Sequence, residues 1–161
     1  MNDEEFNKVK DYAFKLLSFR PRSIQEIKQK LNIYLSKKNL PENLNAKVIS
    51  YLEEHSFLSD IEFAKWWVSA RQRNSIKGIK VIRLELLSKG INKDIIDEIL
   101  NSVEGNIELE KAKEIIVKKL PQFRKFNSKK LLKLKFGKLL FSRGFTGDII
   151  KKAIDESIQK I

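Results

Sequence analysis

Ile82–Leu100 reads IRLELLSKGINKDIIDEIL, and Phe136–Ile154 reads FGKLLFSRGFTGDIIKKAI. Aligned, Ile82 meets Phe136, Leu86 meets Leu140, Lys89-Gly90-Ile91 meets Arg143-Gly144-Phe145, and Ile95-Ile96 with Ile99-Leu100 meets Ile149-Ile150 with Ala153-Ile154. In both stretches apolar residues recur every three or four positions, stop at a basic residue followed by glycine, and then resume. That is the pattern of two amphipathic helices joined by a turn whose glycine takes the left-handed conformation that ends the first helix.

Upstream, each stretch is preceded by a further helix of the same kind. Ala13 is followed by Leu16 and Leu17, Ala64 by Trp67 and Val68, and Ala112 by Ile115 and Ile116, so a small residue and two apolar ones share a face at i, i+3, i+4 three times over. The alanines lie 51 and 48 residues apart, a period that implies tandem helical units. The first unit keeps Ile27 and Leu31 but replaces the glycine turn with the longer SKKNLPEN, resuming at Val48-Ile49, with Pro41 placed near a helix start where its missing N–H costs nothing. Ser23 with Glu26 and Ser59 with Glu62 have capping-box spacing. These signals predict nine helices, at residues 3–19, 24–37, 42–55, 60–74, 76–89, 93–103, 107–120, 128–143 and 147–159. The predicted fold is all-α, an elongated array of three tandem three-helix units at 1–58, 59–105 and 106–161, each too small to be stable without its neighbours.

Composition agrees with this class. Six glycines and three prolines in 161 residues leave few breakers, and 42% hydrophobic with 34% charged residues is a globular balance. The chain has no cysteine, which excludes disulfides, thiolate metal sites and cysteine nucleophiles. A charged start, MNDEEFNKVK, and the lack of any apolar run of membrane-spanning length imply a cytoplasmic chain with no membrane partner. The net charge of +12 attracts polyanions, and it divides as +2, +1 and +9 over the three units.

A family resemblance follows from the motifs. AFKLLSFRPRSIQEIKQKL (Ala13–Leu31), LSDIEFAKWWVSAR (Leu58–Arg71) and GIKVIRLELLSKGI (Gly78–Ile91) resemble the signature of RecX proteins, covering residues 12 to 100 by motif and the remainder by repeat. Two positions depart from it: Arg22 stands where the family often has an aromatic residue or His, and Ile79 where it often has Pro. The resemblance implies three tandem three-helix units. It also implies a monomeric, non-enzymatic regulator of homologous recombination, DNA repair and the SOS response, without cofactor. Such a regulator binds along the groove of a RecA-type recombinase filament, touching single- and double-stranded DNA, and inhibits ATPase, filament growth and strand exchange.

Two basic stretches are the candidate contact surfaces for filament or DNA. Lys65 to Lys93 carries eight basic residues against Glu85 alone, with Arg71 and Arg73 before one loop, Lys77, Lys80 and Arg83 after it, and Lys89 at the end of the following helix. Lys80 and Arg83, three apart, share a helix face, and an arginine pair offers forked donors to phosphate or carboxylate. Lys111 to Arg143 carries twelve basic residues against Glu114 alone, and Lys118, Lys119, Arg124, Lys125, Lys129, Lys130 and Lys133 are the candidates there. Each stretch has a plainer reading as a solvated polar face. Phe123 and Phe126, set among those cations, are either base-stacking residues or plugs between helices. Trp67 lies on the apolar stripe and reads as core, whereas Trp66, about 100° further round, covers a neighbouring unit or meets a partner. His55 lacks a second His or any Cys to build a metal site, and SIKGIK and SRGFTG lack the spacing of a phosphate cradle. A basic architectural DNA-binding protein of the same fold is the alternative function, and a metal-dependent hydrolase the weakest, since the acidic residues are scattered.

Overall fold

In the computed structural model, which describes residues 3–74, 76–103 and 105–159, every regular element is a helix. The order is α1 Asp3–Phe19, α2 Ile24–Lys38, α3 Asn43–Glu54, α4 Asp60–Arg73, α5 Ile79–Ser88, α6 Lys93–Asn101, α7 Gly105–Phe123, α8 Lys129–Ser142 and α9 Gly147–Ile158. Predicted boundaries hold to within a few residues, because caps act locally. Ser23 closes a complete capping box with Glu26, and Gly90 and Gly144 turn the chain at φ 77° and 88°. Ser59 makes only half of its box, accepting from the Glu62 N–H at 3.3 Å.

Two ends depart by three residues: α5 begins at 79 rather than 76, and α7 runs through Pro121 to Phe123 rather than ending at 120. Proline deprives the carbonyl four residues back of its donor. That carbonyl belongs to the exposed Val117, where water can take the place of the missing N–H. The predicted stripes are buried at Ala13, Ala64 and Ala112, each fully inside, and at Leu16, Val68, Ile115 and Ile116, with Leu17 only partly covered. Trp67 is a correction, because both tryptophans are only half-buried and Trp67 carries the Lys89 ammonium over its ring at 5.4 Å.

The chain packs as two compact units, residues 1–67 with 86–96 and residues 68–85 with 97–161, the division falling inside α4, α5 and α6. The first has α1, α2 and α3 packed on one another around Val9, Ala13, Ile27, Leu31, Val48 and Leu52. Within it the start of α2 meets the α5–α6 turn: the Ser23 hydroxyl donates to the Lys89 carbonyl at 2.7 Å, and the Ile24 N–H donates to the Asp60 carboxylate at 2.9 Å. The second has α7, α8 and α9 around Ala112, Ile116, Phe136, Leu140, Phe145 and Ile154. There the start of α5 meets the α8–α9 turn in the equivalent way. Gly78 N–H donates to the Arg143 carbonyl at 2.7 Å, Lys80 N–H to the Gly144 carbonyl at 3.2 Å, and Ile79 N–H to the Glu108 carboxylate at 2.7 Å. Each unit is thus built about one joint, in which an acidic residue from the start of one helix caps another and a basic-glycine turn receives its end.

Candidate functional site

Carboxylates distant in sequence sort the candidate cations into two groups. Arg71 at the end of α4 donates from Nε to Glu85 of α5 at 2.7 Å, and Arg83 pairs with Asp97 of α6. Lys89 reaches Glu26 at 3.1 Å, where Arg20 also binds at 2.8 Å. All three candidates are therefore held within the fold. Arg73, Lys77 and Lys80 differ. Arg73 is exposed and bonds only weakly to the Ser69 carbonyl at 3.4 Å, Lys80 is exposed, Lys77 is half-exposed, and none of the three meets a carboxylate among the described residues. The Lys77 and Lys80 charges flank the amino end of α5, where the helix dipole already concentrates positive potential.

Over α7 and α8 the ion pairs fall mostly on α7. Lys118 pairs with Glu114 at 2.8 Å and Lys133 with Asp155 at 3.1 Å, while Lys111 and Lys113 are answered by Glu114, Glu110 and Glu156. Lys119 bonds the Gln122 amide oxygen at 3.4 Å. Arg124, Lys125, Lys129 and Lys130, with Lys135 and Lys138, are exposed and meet no carboxylate among the described residues. Among the candidate cations of residues 105–142, those that meet no carboxylate therefore run from Lys119 and the end of α7 along α8, with Lys133 excepted. Phe123 and Phe126 both pack against the second core, Phe123 lying 4.9 Å from Phe136, and Phe126 has Lys125 and Lys135 over its ring at 5.5 and 5.3 Å. These contacts support their reading as plugs rather than base-stacking platforms.

Three acidic residues that sequence reading did not single out as functional hold the two joints. Glu26 is pushed up by burial, but hydrogen bonds from Arg20 and Lys89 outweigh that and bring its carboxyl down to about 2. Asp60 and Glu108 are raised by burial, against which a single backbone N–H each, from Ile24 and Ile79, pulls the other way. Glu108 is only 7% exposed. The departure at Ile79 is meaningful here, since proline at that position would have no N–H to give Glu108. Arg22, the other departure, donates to the Leu16 carbonyl near the end of α1 at 3.0 Å. The capping-box spacing marked Glu26 in sequence; nothing local marked Glu108.

His55 sits at the end of α3, its Nδ1 2.8 Å from the Tyr51 carbonyl. Among the described residues no three His, Asp or Glu side chains converge as metal ligands, and no helix is long and apolar enough to cross a membrane.

Comparison with known proteins agrees with this architecture. Residues 59–100 match the second three-helix domain of RecX. A regulatory protein RecX from Clostridium botulinum is 30% identical over 158 residues, which are 98% of this chain and 72% of that protein. The chain belongs to the RecX family. Another RecX-family relative, the regulatory protein RecX of Bacillus pumilus, is 33% identical over 152 residues, and the chain spans only 54% of its length. The crystal structure of RecX from Lactobacillus salivarius superposes with a TM-score of 0.85 at 26% identity, covering 99% of both chains.

Proposed function

We propose that this RecX-family chain is a monomeric, cytoplasmic regulator that binds the nucleoprotein filament of a RecA-type recombinase and restrains its ATPase, growth and strand exchange, without cofactor or chemical step. The observation that carries the reading is the pairing of family membership with two groups of cations that meet no carboxylate among the described residues, Arg73, Lys77 and Lys80, and Arg124, Lys125, Lys129 and Lys130 with Lys135 and Lys138, while Arg71, Arg83, Lys89, Lys118 and Lys133 are paired within the chain. In this proposal three sequence repeats, at 1–58, 59–105 and 106–161, meet separate parts of one filament.

The test is the single-strand-dependent ATPase of a recombinase, titrated with this protein. Reversing Arg73, Lys77 and Lys80 to Glu should raise the half-inhibitory concentration by about tenfold or more, whereas reversing Lys28 and Lys30 in the near-neutral first unit should change it little. Arg71 is best left intact, since a Glu there would face Glu85. Equal loss from both reversals would reduce the effect to unspecific attraction.

The density of free cations along α8 favours a second reading, an independent DNA-binding protein. Under the filament reading a recombinase-coated strand binds far more tightly than bare strand at physiological salt; equal affinities favour the second. Neutralising Arg124, Lys129 and Lys130 should then flatten the salt dependence by about 0.7 for each single-strand phosphate that is no longer neutralised.

A further inference from the structure

Helix α8 has two apolar faces. Leu132, Phe136 and Leu140 enter the core, but on the outside Leu134 is 53% and Phe141 69% exposed. Lys130, Lys133, Leu134, Gly137, Lys138 and Phe141 line one shallow groove there. Their spacing of i, i+3, i+4, i+7, i+8, i+11 is the stripe one helix offers to another. Gly137 at its centre is unexplained by the fold. Its φ is not positive, and a β-carbon on it would approach nothing nearer than Ile154 Cδ1 at 4.0 Å. A mid-helix glycine is less stable than alanine, and among the described residues neither a positive φ nor a close contact requires it. Bare backbone in the middle of an exposed apolar stripe is what close approach by another helix uses.

The charges around the groove select the occupant. Lys130 and Lys138 are free of carboxylates among the described residues, and Lys133 shares Asp155. A second copy of this chain would bring its own excess of positive charge against them. Nucleic acid would satisfy the lysines but leave Leu134, an aliphatic side chain with no stacking face, against hydrated phosphate. An amphipathic helix with apolar anchors and flanking carboxylates satisfies both features. We propose that the outer face of α8 docks an acidic amphipathic helical segment of a partner protein, Leu134 and Phe141 receiving its apolar side chains and Lys130 and Lys138 its carboxylates. The groove shares Lys130 and Lys138 with the second cation surface of the filament reading, but its test reads peptide affinity and that reading's test reads ATPase inhibition, so either can fail without the other.

The probe is a fluorescent peptide of about 20 residues, Leu at i, i+3, i+7 and i+10 and Glu at the flanking positions, titrated against the full chain by anisotropy. A scrambled peptide of identical composition and a single-stranded oligonucleotide serve as comparators. The patterned peptide should bind about tenfold more tightly than the scramble. Leu134→Ser with Phe141→Ser should remove that margin while oligonucleotide affinity and the thermal midpoint stay unchanged, because both side chains are exposed. Gly137→Ala should raise the thermal midpoint yet weaken the peptide. Equal binding of patterned and scrambled peptides, peptide binding indifferent to the serine variant, or an oligonucleotide that weakens in step with the peptide would each overturn the proposal. Unchanged or tighter binding to Gly137→Ala would overturn the close helix approach.

Discussion

The two joints, Ser23-Ile24 against Lys89-Gly90 and Gly78-Ile79 against Arg143-Gly144, repeat one design with different materials. In the first, side chains carry the contact. Ser23 and Asp60 supply the hydrogen bonds, Glu26 ties Arg20 and Lys89 together, and Gln25 lies over Gly90. In the second, backbone meets backbone. Gly78 is pressed against Gly144 so closely that a β-carbon on either would strike main chain, and the place of Glu26 is taken by Val81. A joint of charged side chains answers to pH and salt and can yield; one of opposed backbones answers to volume and cannot.

Volume should therefore give the largest effect. Gly144→Ala, with its positive φ and Val81 N within 2.6 Å of the new methyl, is expected to destabilise by ~2–4 kcal/mol, left-handed strain adding to overpacking. Gly78→Ala, which collides with the Gly144 backbone, should fall in the same range. Urea unfolding measures both, and a loss below about 1 kcal/mol would show that the second joint can relax. Gly90→Ala should cost less, ~1–2 kcal/mol, because the nearest atoms in its way are the amide end of Gln25, which can turn aside and leave only Gln25 Cβ at 2.8 Å, and none is main chain. Were Gly90 the costlier site, the contrast between the joints would be reversed.

Glu26→Gln should act next, through pH. The folded Glu26 carboxyl lies at about 2 against an ordinary 4.5, so its contribution is complete above 4.5 and lost as pH falls through about 2. The variant should lose roughly 1 kcal/mol near neutrality, and its stability should fall less steeply on acidification than that of the parent. Identical acid limbs would break the assignment. Glu108→Gln should do least. Burial raises the Glu108 carboxyl, so its favourable contribution belongs to the protonated form, present below the ordinary carboxylate range and lost as pH rises through the raised value. A glutamine still accepts from Ile79, and stability at neutral pH should change by about 0.5 kcal/mol or less. A large loss would mean that the charge itself holds the second joint.

Helices were legible in the sequence because their causes lie within four residues: the spacing of Ala13 with Leu16, the Ser23–Glu26 box, and the glycines after Lys89 and Arg143. Membership of the RecX family was legible for the same reason, since its motifs are these local patterns. Lys118 with Glu114 was open to the same reading, four residues apart on one helix. The surface was not. Arg71, Arg83, Lys89 and Lys133 looked as available as Lys80 or Lys130, and only packing brought Glu85, Asp97, Glu26 and Asp155 to them across 14 to 63 residues of chain. The sequence by itself determined how many helices form and which face of each is apolar, because those depend on neighbours along the chain. Tertiary structure alone decided which charges remain for a partner, because an ion pair forms between whichever groups the fold brings within reach.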